Sequence, residues 1–462
     1  MLPLRVVVAC AAALCVTAAS AAAAGGVGGL TQLPGKSGCV GEGAGAECAH
    51  ARELAHATGL AISPDGRNVY TTSFSTGAVA AFVRGSDGAL RQLAGDSGCV
   101  SEQRGSGCTR VPGLLRGTTN VTVSDDGRNV YVASLTSDQL TVLRRGGDDG
   151  RLRRVGCLSY RHRPGCRRDG RLYGITKVVT SADGRSAYAI TDAALVGFAR
   201  DGATGMLRPL HGRSGCVGGG PSCVRTEDFG VPDDVAIAPD GRSLYVVDSE
   251  LATIVGVVRD PASGALSVHA AARGCADDTP AVACPSAALP GATAVEISPD
   301  GRFAYTGSTR AAGPVSFALG NEPGLLQRVV SPPVAESRMT DPYDIDVSRD
   351  GTRVYLAGAG PIRMSAFAAD PATGVLTQLD GPGGCVAARA GKGCETGHDV
   401  TLPRYLVVSP DGRNVYVTSA RAGTATSSGT VTAFASSTAQ GAQAEAGQGA
   451  AQLLVGELGE AP

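Results

Sequence analysis

The chain has 462 residues, of which 18% are charged and 66 are glycines, and it contains no tryptophan. Its formal net charge is −1, so bulk electrostatics gives no reason to expect binding to nucleic acid, to an anionic membrane or to an acidic substrate. Few stretches combine Glu, Lys and Leu in the manner of helices, and the abundance of glycine favours an all-β fold.

The first 24 residues have the features of a signal peptide. Arg5 gives a positively charged start, residues 6–16 form a short apolar run, and Ala22-Ala23-Ala24 provide a signal-peptidase site. The apolar run is too short to span a bilayer as a permanent helix. We therefore expect a mature protein that is secreted to the extracellular space, has no membrane span and is a monomer.

Cysteine spacing agrees with export. The chain has 14 cysteines; Cys10 and Cys15 lie in the expected signal peptide, and the others form closely spaced pairs. An oxidising compartment would convert each pair into a local disulfide bond, and no pair has the short spacing and regular histidine partner of a zinc site. The predicted bonds join Cys39 to Cys48, Cys99 to Cys108, Cys157 to Cys166, Cys216 to Cys223, Cys275 to Cys284 and Cys385 to Cys394.

One octapeptide motif recurs through the chain and defines its organisation. SPDGRNVY stands at residues 63–70 and again at residues 409–416, and related copies begin at residues 124, 181, 238, 298 and 348. In each copy an apolar run ends at Asp-Gly, which favours a tight hairpin turn, and a second apolar run follows. Each repeat has room for four antiparallel strands, which make one propeller blade. The sequence therefore predicts an all-β, seven-bladed β-propeller.

The two ends of the chain predict how the ring closes. The last repeat stops after its third strand, near residues 429–435, and residues 29–33 (GLTQL) match residues 375–379 (VLTQL), a fourth strand. The N-terminal strand would complete the last blade and remove an exposed edge. We expect the propeller to occupy residues 25–437 and the low-complexity residues 438–462 to form a flexible tail.

The repeats resemble those of YVTN-type β-propellers and of the wider lactonase-like seven-bladed propeller group. The SPDGRNVY copies and the triplets Val417-Thr418-Ser419 and Val132-Ala133-Ser134 carry the resemblance, which covers nearly the whole mature chain. It implies the fold more than the function, because such propellers act as enzymes, surface proteins and binding platforms. Members with phosphogluconolactonase activity usually place His and Arg near the ends of the inner strands. In this sequence the residue pairs that precede the first strands contain no histidine.

Alternation along the innermost strands predicts which side chains face the central channel. Counting back from the turn aspartate of each repeat, the fifth residue is always apolar and belongs to the core, whereas the sixth and fourth residues point toward the channel. Polar residues at or beside these positions are the candidates for ligand contacts: Asn120, Lys177, Asp234, Glu296, Asp344, Asp346, Arg404 and Tyr405.

Four carboxylates from three consecutive repeats form the candidate metal site: Asp234, Glu296, Asp344 and Asp346. Carboxylates around a narrow channel repel one another unless a cation or a base lies between them. A bound Ca²⁺ would satisfy them and tolerate irregular geometry, in a structural or a catalytic role. The alternative is that water, Lys177 and Arg404 neutralise them in a solvated channel.

Two functions are consistent with the sequence. The disulfide loops lie between the fourth strand of one blade and the first strand of the next, and in a propeller these crossovers emerge on one face. The first hypothesis is a secreted binding module that recognises an extracellular ligand on this disulfide-bearing face. The second is a metal-dependent lactonase or esterase that hydrolyses a small lactone or ester in the channel. The clustering of polar residues on three repeats suits the enzyme, and the varied loop sequences suit the binding module.

Overall fold

A computed structural model describes residues 28–42, 47–113, 115–228, 230–269, 286–310, 313–331, 339, 341–389, 393–420 and 428–436. These residues form seven separate, mainly antiparallel sheets, and the innermost strand of each sheet contacts the innermost strands of its two neighbours in a closed ring. The protein is a seven-bladed β-propeller, as predicted. No helix in this part of the chain has the length and apolarity needed to cross a membrane. The expected signal peptide and tail lie outside the described residues.

Three strands of each blade follow one another as hairpins. From blade 1 to blade 7, the innermost strands are Ala57–Ile62, Thr118–Val123, Lys177–Thr180, Asp234–Ile237, Ala292–Ile297, Asp341–Val347 and Pro403–Val408. In the same blade order, the second strands are Asn68–Ser73, Asn129–Ser134, Ser186–Thr191, Ser243–Asp248, Phe303–Ser308, Arg353–Ala359 and Asn414–Ala420. The third strands are Ala78–Arg84, Gln139–Arg145, Ala194–Arg200, Thr253–Arg259, Val315–Leu319, Ile362–Ala369 and Gly429–Ser436.

The outer, fourth strand is divided into two segments in five of the blades. Blades 2 and 5 have the single outer strands Leu152–Ser159 and Leu326–Val329. The divided strands, in blades 1, 3, 4, 6 and 7, are Leu90–Gln92 with Cys99–Ser101, Leu207–Pro209 with Cys216–Gly218, Leu266–Ser267 with Ser286–Ala288, Leu376–Gln378 with Cys385–Ala387, and Leu30–Gln32 with Cys39–Gly41. Between the segments of blades 1, 3, 6 and 7 lie the 3-10 turns Gly95–Gly98, Arg213–Gly215, Pro382–Gly384 and Gly35–Ser37. Short parallel strands follow in blades 1, 2, 6 and 7: Thr109–Arg110, Arg167–Arg168, Glu395–Thr396 and Ala49–His50.

The N-terminal strand closes the ring in the predicted way. Leu30 lies opposite Ser436 and Gln32 lies opposite Phe434 in an antiparallel pair. The second N-terminal segment, Cys39–Gly41, pairs with the other half of the same third strand. Blade 7 is therefore assembled from both ends of the propeller sequence, and its third strand is hydrogen-bonded along both edges.

The repeated motif forms the hairpin between the first and second strands. In blade 1, Gly66 has a φ of 69°, a conformation that glycine adopts without steric cost. The Ser63 hydroxyl donates to an oxygen of Asp65 at 2.5 Å, and the same carboxylate accepts from the Arg67 N–H at 3.1 Å. The serine and aspartate of the motif thus satisfy the polar groups of the turn.

Arginine residues at the ends of third strands clamp neighbouring blades together. In blade 2, Arg145 donates through Nε to the Tyr70 hydroxyl at 3.2 Å, and through Nη2 to Asp65 at 2.7 Å and to Asn68 Oδ1 at 2.7 Å. Tyr70 in turn donates to the Gly150 carbonyl at 2.7 Å. Each clamp is a buried, charge-assisted network that joins one blade to the blade before it. Equivalent clamps are made by Arg84, Arg200 and Arg259.

Five of the predicted disulfide bonds are formed within the described residues. They join Cys39 to Cys48, Cys99 to Cys108, Cys157 to Cys166, Cys216 to Cys223 and Cys385 to Cys394. Each links the outer strand of one blade to the crossover that enters the innermost strand of the next. The predicted bond between Cys275 and Cys284 lies outside the described residues.

The clamp predicts that substitutions of the adjacent residues Arg144 and Arg145 will have very different effects on the free energy of unfolding. The Arg145 side chain is 3% exposed, whereas Arg144 is exposed to solvent. Arg145→Met leaves the buried polar atoms of Asn68 and Tyr70 without their charged donor, so the free energy of unfolding should fall by about 2 kcal/mol. Arg144→Met should change it by less than about 0.5 kcal/mol. Urea unfolding of the two variants measures both values, and equal stabilities would contradict the clamp.

Candidate functional site

The innermost strands of five blades are irregular at the end where the disulfide-bearing crossovers enter. The pairing register between first and second strands shifts there in blades 1, 2, 5, 6 and 7. A β-bulge inserts an extra residue and redirects the side chain it carries, and bulges are common beside functional sites. The bulged residues are Thr58 with Gly59, Thr119, Thr293, Tyr343, and Arg404 with Tyr405. They surround the mouth of the channel on the disulfide-bearing face.

Below the bulges, polar side chains bridge the innermost strands of neighbouring blades. Asp234 accepts from the Val295 N–H at 3.0 Å, and Asp344 accepts from the Leu406 N–H at 2.8 Å. The same bridge is made one layer deeper by Asp346, which accepts from the N–H of residue 408 at 2.7 Å. These carboxylates satisfy backbone donors that no neighbouring strand reaches.

Asn120 makes the corresponding bridge between blades 2 and 3. Its Oδ1 accepts from the Val178 N–H at 3.2 Å and lies 3.3 Å from the Thr122 hydroxyl. That hydroxyl donates to the Val178 carbonyl at 2.6 Å. Asn120 is buried, and these contacts account for the polar atom that the sequence placed in the channel.

A buried ion pair lies at the centre of the candidate site. The Lys177 ammonium donates to Asp234 in the next blade, and the two side chains are 17% and 6% exposed. Burial alone would lower the pKa of Lys177, but the charges of Asp234 and Asp344 outweigh burial and raise this pKa above its usual range. Glu296 contributes to the same field. Four consecutive blades therefore bring their side chains to one region of the axis.

The remaining carboxyl groups of this region hold protons unusually strongly. Burial raises the pKa of Asp344 to about 7, although Lys177 opposes the shift. Burial and the charge of Asp346 raise the pKa of Glu296, and burial raises the pKa of Asp346 against two backbone N–H donors. Near neutral pH the cluster therefore carries much less negative charge than its composition suggests. Burial also raises the pKa of the adjacent Tyr405 to about 12.

These contacts bear on the predicted calcium site. Within the part of the chain that the structure describes, Asp234, Glu296, Asp344 and Asp346 do not form a compact group of three metal-ligating side chains. Three of these carboxylates already accept backbone hydrogen bonds, and Asp234 pairs with Lys177. The donor set has the oxygen chemistry that Ca²⁺ prefers, but its present arrangement favours neutralisation by Lys177 and by protons. Calcium binding stays a prediction.

Among the described residues, Arg404 forms no ion pair with the carboxylates of this cluster and contacts an aromatic ring instead. Its guanidinium carbon is 4.5 Å from the centroid of the Tyr343 ring, in a cation–π contact between blades 6 and 7. Its charge lowers the pKa of His56, whose burial has the larger effect in the same direction. Tyr343 is a candidate that sequence reasoning missed. Tyr343 was visible as the aromatic residue beside Asp344, but its direction depends on the bulge.

One segment of the chain matches a known protein family. Residues 232–385 match the family model described as "Lactonase, 7-bladed beta-propeller". The match covers less than half of the chain and includes all four carboxylates of the channel. This segment is therefore similar to the lactonase-type seven-bladed β-propellers, and the fold of the described residues agrees with that architecture. No curated protein matches the chain.

Several solved structures share the fold at low sequence identity. Hydrazine synthase from Kuenenia stuttgartiensis is 15% identical, with a TM-score of 0.50 over 79% of this chain and 93% of that one. The periplasmic gluconolactonase of Pseudomonas aeruginosa is 20% identical, with a TM-score of 0.49 over 76% and 93%. A putative 6-phosphogluconolactonase from Bacteroides fragilis is 19% identical, with a TM-score of 0.49 over 69% and 82%. The likeness concerns the architecture alone.

The raised pKa of Asp344 predicts a pH-dependent stability. Between about pH 4 and pH 7 the unfolded chain ionises this carboxyl while the folded chain keeps its proton, so unfolding releases a proton. The free energy of unfolding should then fall as the pH rises, by up to about 1.4 kcal/mol per pH unit. In Asp344→Asn this contribution is absent, and the amide oxygen can still accept from Leu406. Urea unfolding at pH 4.5 and pH 7 measures the difference.

The exposed Asp148 provides the control. Asp148→Asn should keep the pH dependence of the wild type. If Asp344→Asn and the wild type lose stability in parallel as the pH rises, the protonated state assigned to Asp344 is wrong.

Proposed function

We propose that the protein is a secreted binding module that recognises a small anionic ligand at the mouth of its channel, on the disulfide-bearing face. One observation carries the proposal: at the bulge, blades 6 and 7 lack the threonine with which the other bulged blades bond to the next blade. Departures from a local rule within a repeat are the places where function is expected.

The threonine at the bulge has a structural role, since it links neighbouring blades. In blades 1, 2 and 5 the bulged residue is a threonine whose hydroxyl donates to a backbone carbonyl of the next blade. The distances are 2.8 Å for Thr58, 2.7 Å for Thr119 and 2.5 Å for Thr293. A threonine at blades 6 and 7 would serve the same purpose. Tyr343 and Arg404 stand there instead, and each contacts the other rather than the backbone of the next blade.

Arg404 has the chemistry of an anion anchor. Both it and Tyr343 are partly exposed, and among the described residues no carboxylate forms an ion pair with the Arg404 guanidinium. A planar guanidinium held over an aromatic ring presents its N–H donors in a fixed plane, which suits a carboxylate. The cationic Lys177 lies deeper in the same channel. A small carboxylate-bearing molecule is therefore the ligand class that this mouth favours.

Secretion and monomeric state belong to the same proposal. The expected signal peptide and the local disulfide bonds support an oxidising, extracellular setting. The disulfide loops belong to crossovers on the same face as the proposed recognition surface.

Ligand binding can be tested with a panel of small carboxylates and lactones, with thermal shift and ligand-observed NMR as the two measurements of binding. A ligand that uses the mouth should bind Arg404→Gln at least about tenfold more weakly, a loss of about 1.4 kcal/mol. Arg413→Gln is the matched control, because Arg413 is exposed on the hairpin of the same blade. Binding that is equal in both variants, or no saturable binding by the wild type, contradicts the proposal.

The second candidate function is a hydrolase that opens a lactone or cleaves an ester in the channel. The specific observation in its favour is that Asp344, with a pKa of about 7, lies inside the segment that matches the lactonase model. A carboxyl group with such a pKa can accept a proton from an attacking water and later return it to the leaving alcohol at neutral pH. Calcium, if bound by the channel carboxylates, would polarise the substrate carbonyl.

The enzyme hypothesis predicts turnover of lactones or aryl esters that depends on Asp344. Purified mature protein is assayed on a substrate panel with added calcium and again with chelator. Hydrolysis that falls at least about a hundredfold in Asp344→Asn, within the usual range for a lost acid–base group, supports the enzyme. Asp148→Asn should retain full activity. Absence of turnover on every substrate leaves the carboxylates as ring-bridging groups and removes this alternative.

A further inference from the structure

Blades 1, 3, 6 and 7 share a small structural unit at their outer edge. It consists of the outer strand, the 3-10 turn that interrupts this strand, and the disulfide loop. In blade 1 the outer-strand residue Gln92 holds the chain that enters the blade. Its Oε1 accepts from the Arg52 N–H at 3.0 Å, and its Nε2 donates to the carbonyls of Arg52 at 3.0 Å and Gly98 at 3.1 Å.

The side chain of Arg52, the residue that Gln92 holds in blade 1, fills the space between the 3-10 turn and the disulfide loop. Arg52 donates through Nη2 to the Gly95 carbonyl in the turn at 2.6 Å. It donates through Nη1 to the Gly107 carbonyl in the loop at 2.9 Å. The unit therefore forms a slot whose backbone carbonyls bind a guanidinium group.

Blade 3 also holds an arginine beside this turn, but through other carbonyls. The guanidinium of Arg171 donates to the Leu210 carbonyl at 3.2 Å, before the 3-10 turn, and to the Gly215 carbonyl at 3.1 Å, at the end of the turn. It also donates to the carboxylate of Asp169 at 2.7 Å. The outer edge of a second blade therefore binds a guanidinium, although not through the counterparts of Gly95 and Gly107.

Blade 7 has the same backbone but no arginine. Gln32 Oε1 accepts from the His398 N–H at 2.7 Å, and Gln32 Nε2 donates to the carbonyls of His398 at 3.1 Å and Gly38 at 3.3 Å. His398 therefore occupies the position of Arg52. No side chain in the described part of the chain donates to the carbonyls of Gly35 or Glu47, the counterparts of Gly95 and Gly107. A cavity of about 470 Å³ lies there.

We propose that this cavity, the blade-7 slot, binds the guanidinium of an arginine side chain from a partner polypeptide. The carbonyls that hold Arg52 in blade 1 have counterparts in this slot, and the lining adds the carboxylates of Glu47 and Glu395. Two cationic groups share the lining: Lys36, and His398, whose Nδ1 lies 3.8 Å from a Glu47 oxygen. The planar fork of a guanidinium matches carbonyls and carboxylates on opposite walls better than an ammonium does.

The slot lies at the outer edge of blade 7, where the two ends of the propeller sequence meet, and is separate from the channel mouth. Its ligand is a cation, whereas the channel mouth is proposed to bind an anion. Success or failure of one proposal therefore leaves the other untouched.

The test uses N-acetyl-arginine amide as the probe and N-acetyl-lysine amide as the comparison, by calorimetric titration of the mature protein at low salt. The arginine probe should bind saturably, with at least about tenfold higher affinity than the lysine probe. His398→Arg should fill the slot from within, as Arg52 does in blade 1, and weaken the arginine probe at least about tenfold.

The control variant is His50→Arg, which adds the same charge at an exposed position outside the slot. It should keep the affinity of the wild type within about twofold. His398→Arg should also unfold at a higher temperature than His50→Arg, because only the former gains carbonyl partners. Absence of saturable binding, equal affinity for the two probes, or equal binding by the two variants would overturn the proposal.

Discussion

The closed ring depends on how the seven innermost strands satisfy the backbone hydrogen-bonding groups along their inner edges. Each of these strands pairs with the second strand of its own blade and with no neighbouring innermost strand. Their backbone groups are nevertheless buried and require partners. Side chains supply them: Asp234, Asp344 and Asp346 accept from N–H groups of the next blade, and threonines donate to its carbonyls. The polar residues of the channel are first of all the residues that hold the blades together.

This dual use limits the chemistry of the channel. A carboxylate that bridges two blades keeps one oxygen engaged, and Asp234 is also paired with Lys177. Burial then raises the pKa values of Asp344, Asp346 and Glu296 and favours their protonated forms. Any ligand or metal that enters has to compete with the bridges or use the groups that the bridges leave unused, of which Arg404 is the most prominent.

The repeats also differ in whether their third strand ends in an arginine clamp. Arginine clamps join blade 7 to blade 1 and continue through blade 4, whereas the third strands of blades 5, 6 and 7 carry Leu319, Ala369 and Ser436 at the clamp position. Both proposed recognition sites involve blade 7, where the two ends of the propeller sequence combine. The repeats share a common set of contacts, and both proposed sites lie where one residue of that set is replaced.

The amino-acid sequence by itself determined the number of blades, the completion of the last blade by the N-terminal strand, and the local disulfide pairing, because each depends on short-range signals repeated at regular intervals. Period-two counting also identified Lys177, Asp234 and Asp344 as residues of one axial region. Only the tertiary structure decided what these residues contact. The bulges insert an extra residue into five innermost strands and bring Arg404 against the ring of Tyr343. The arginine slots likewise depend on carbonyls from separate loops, whose convergence no local pattern records.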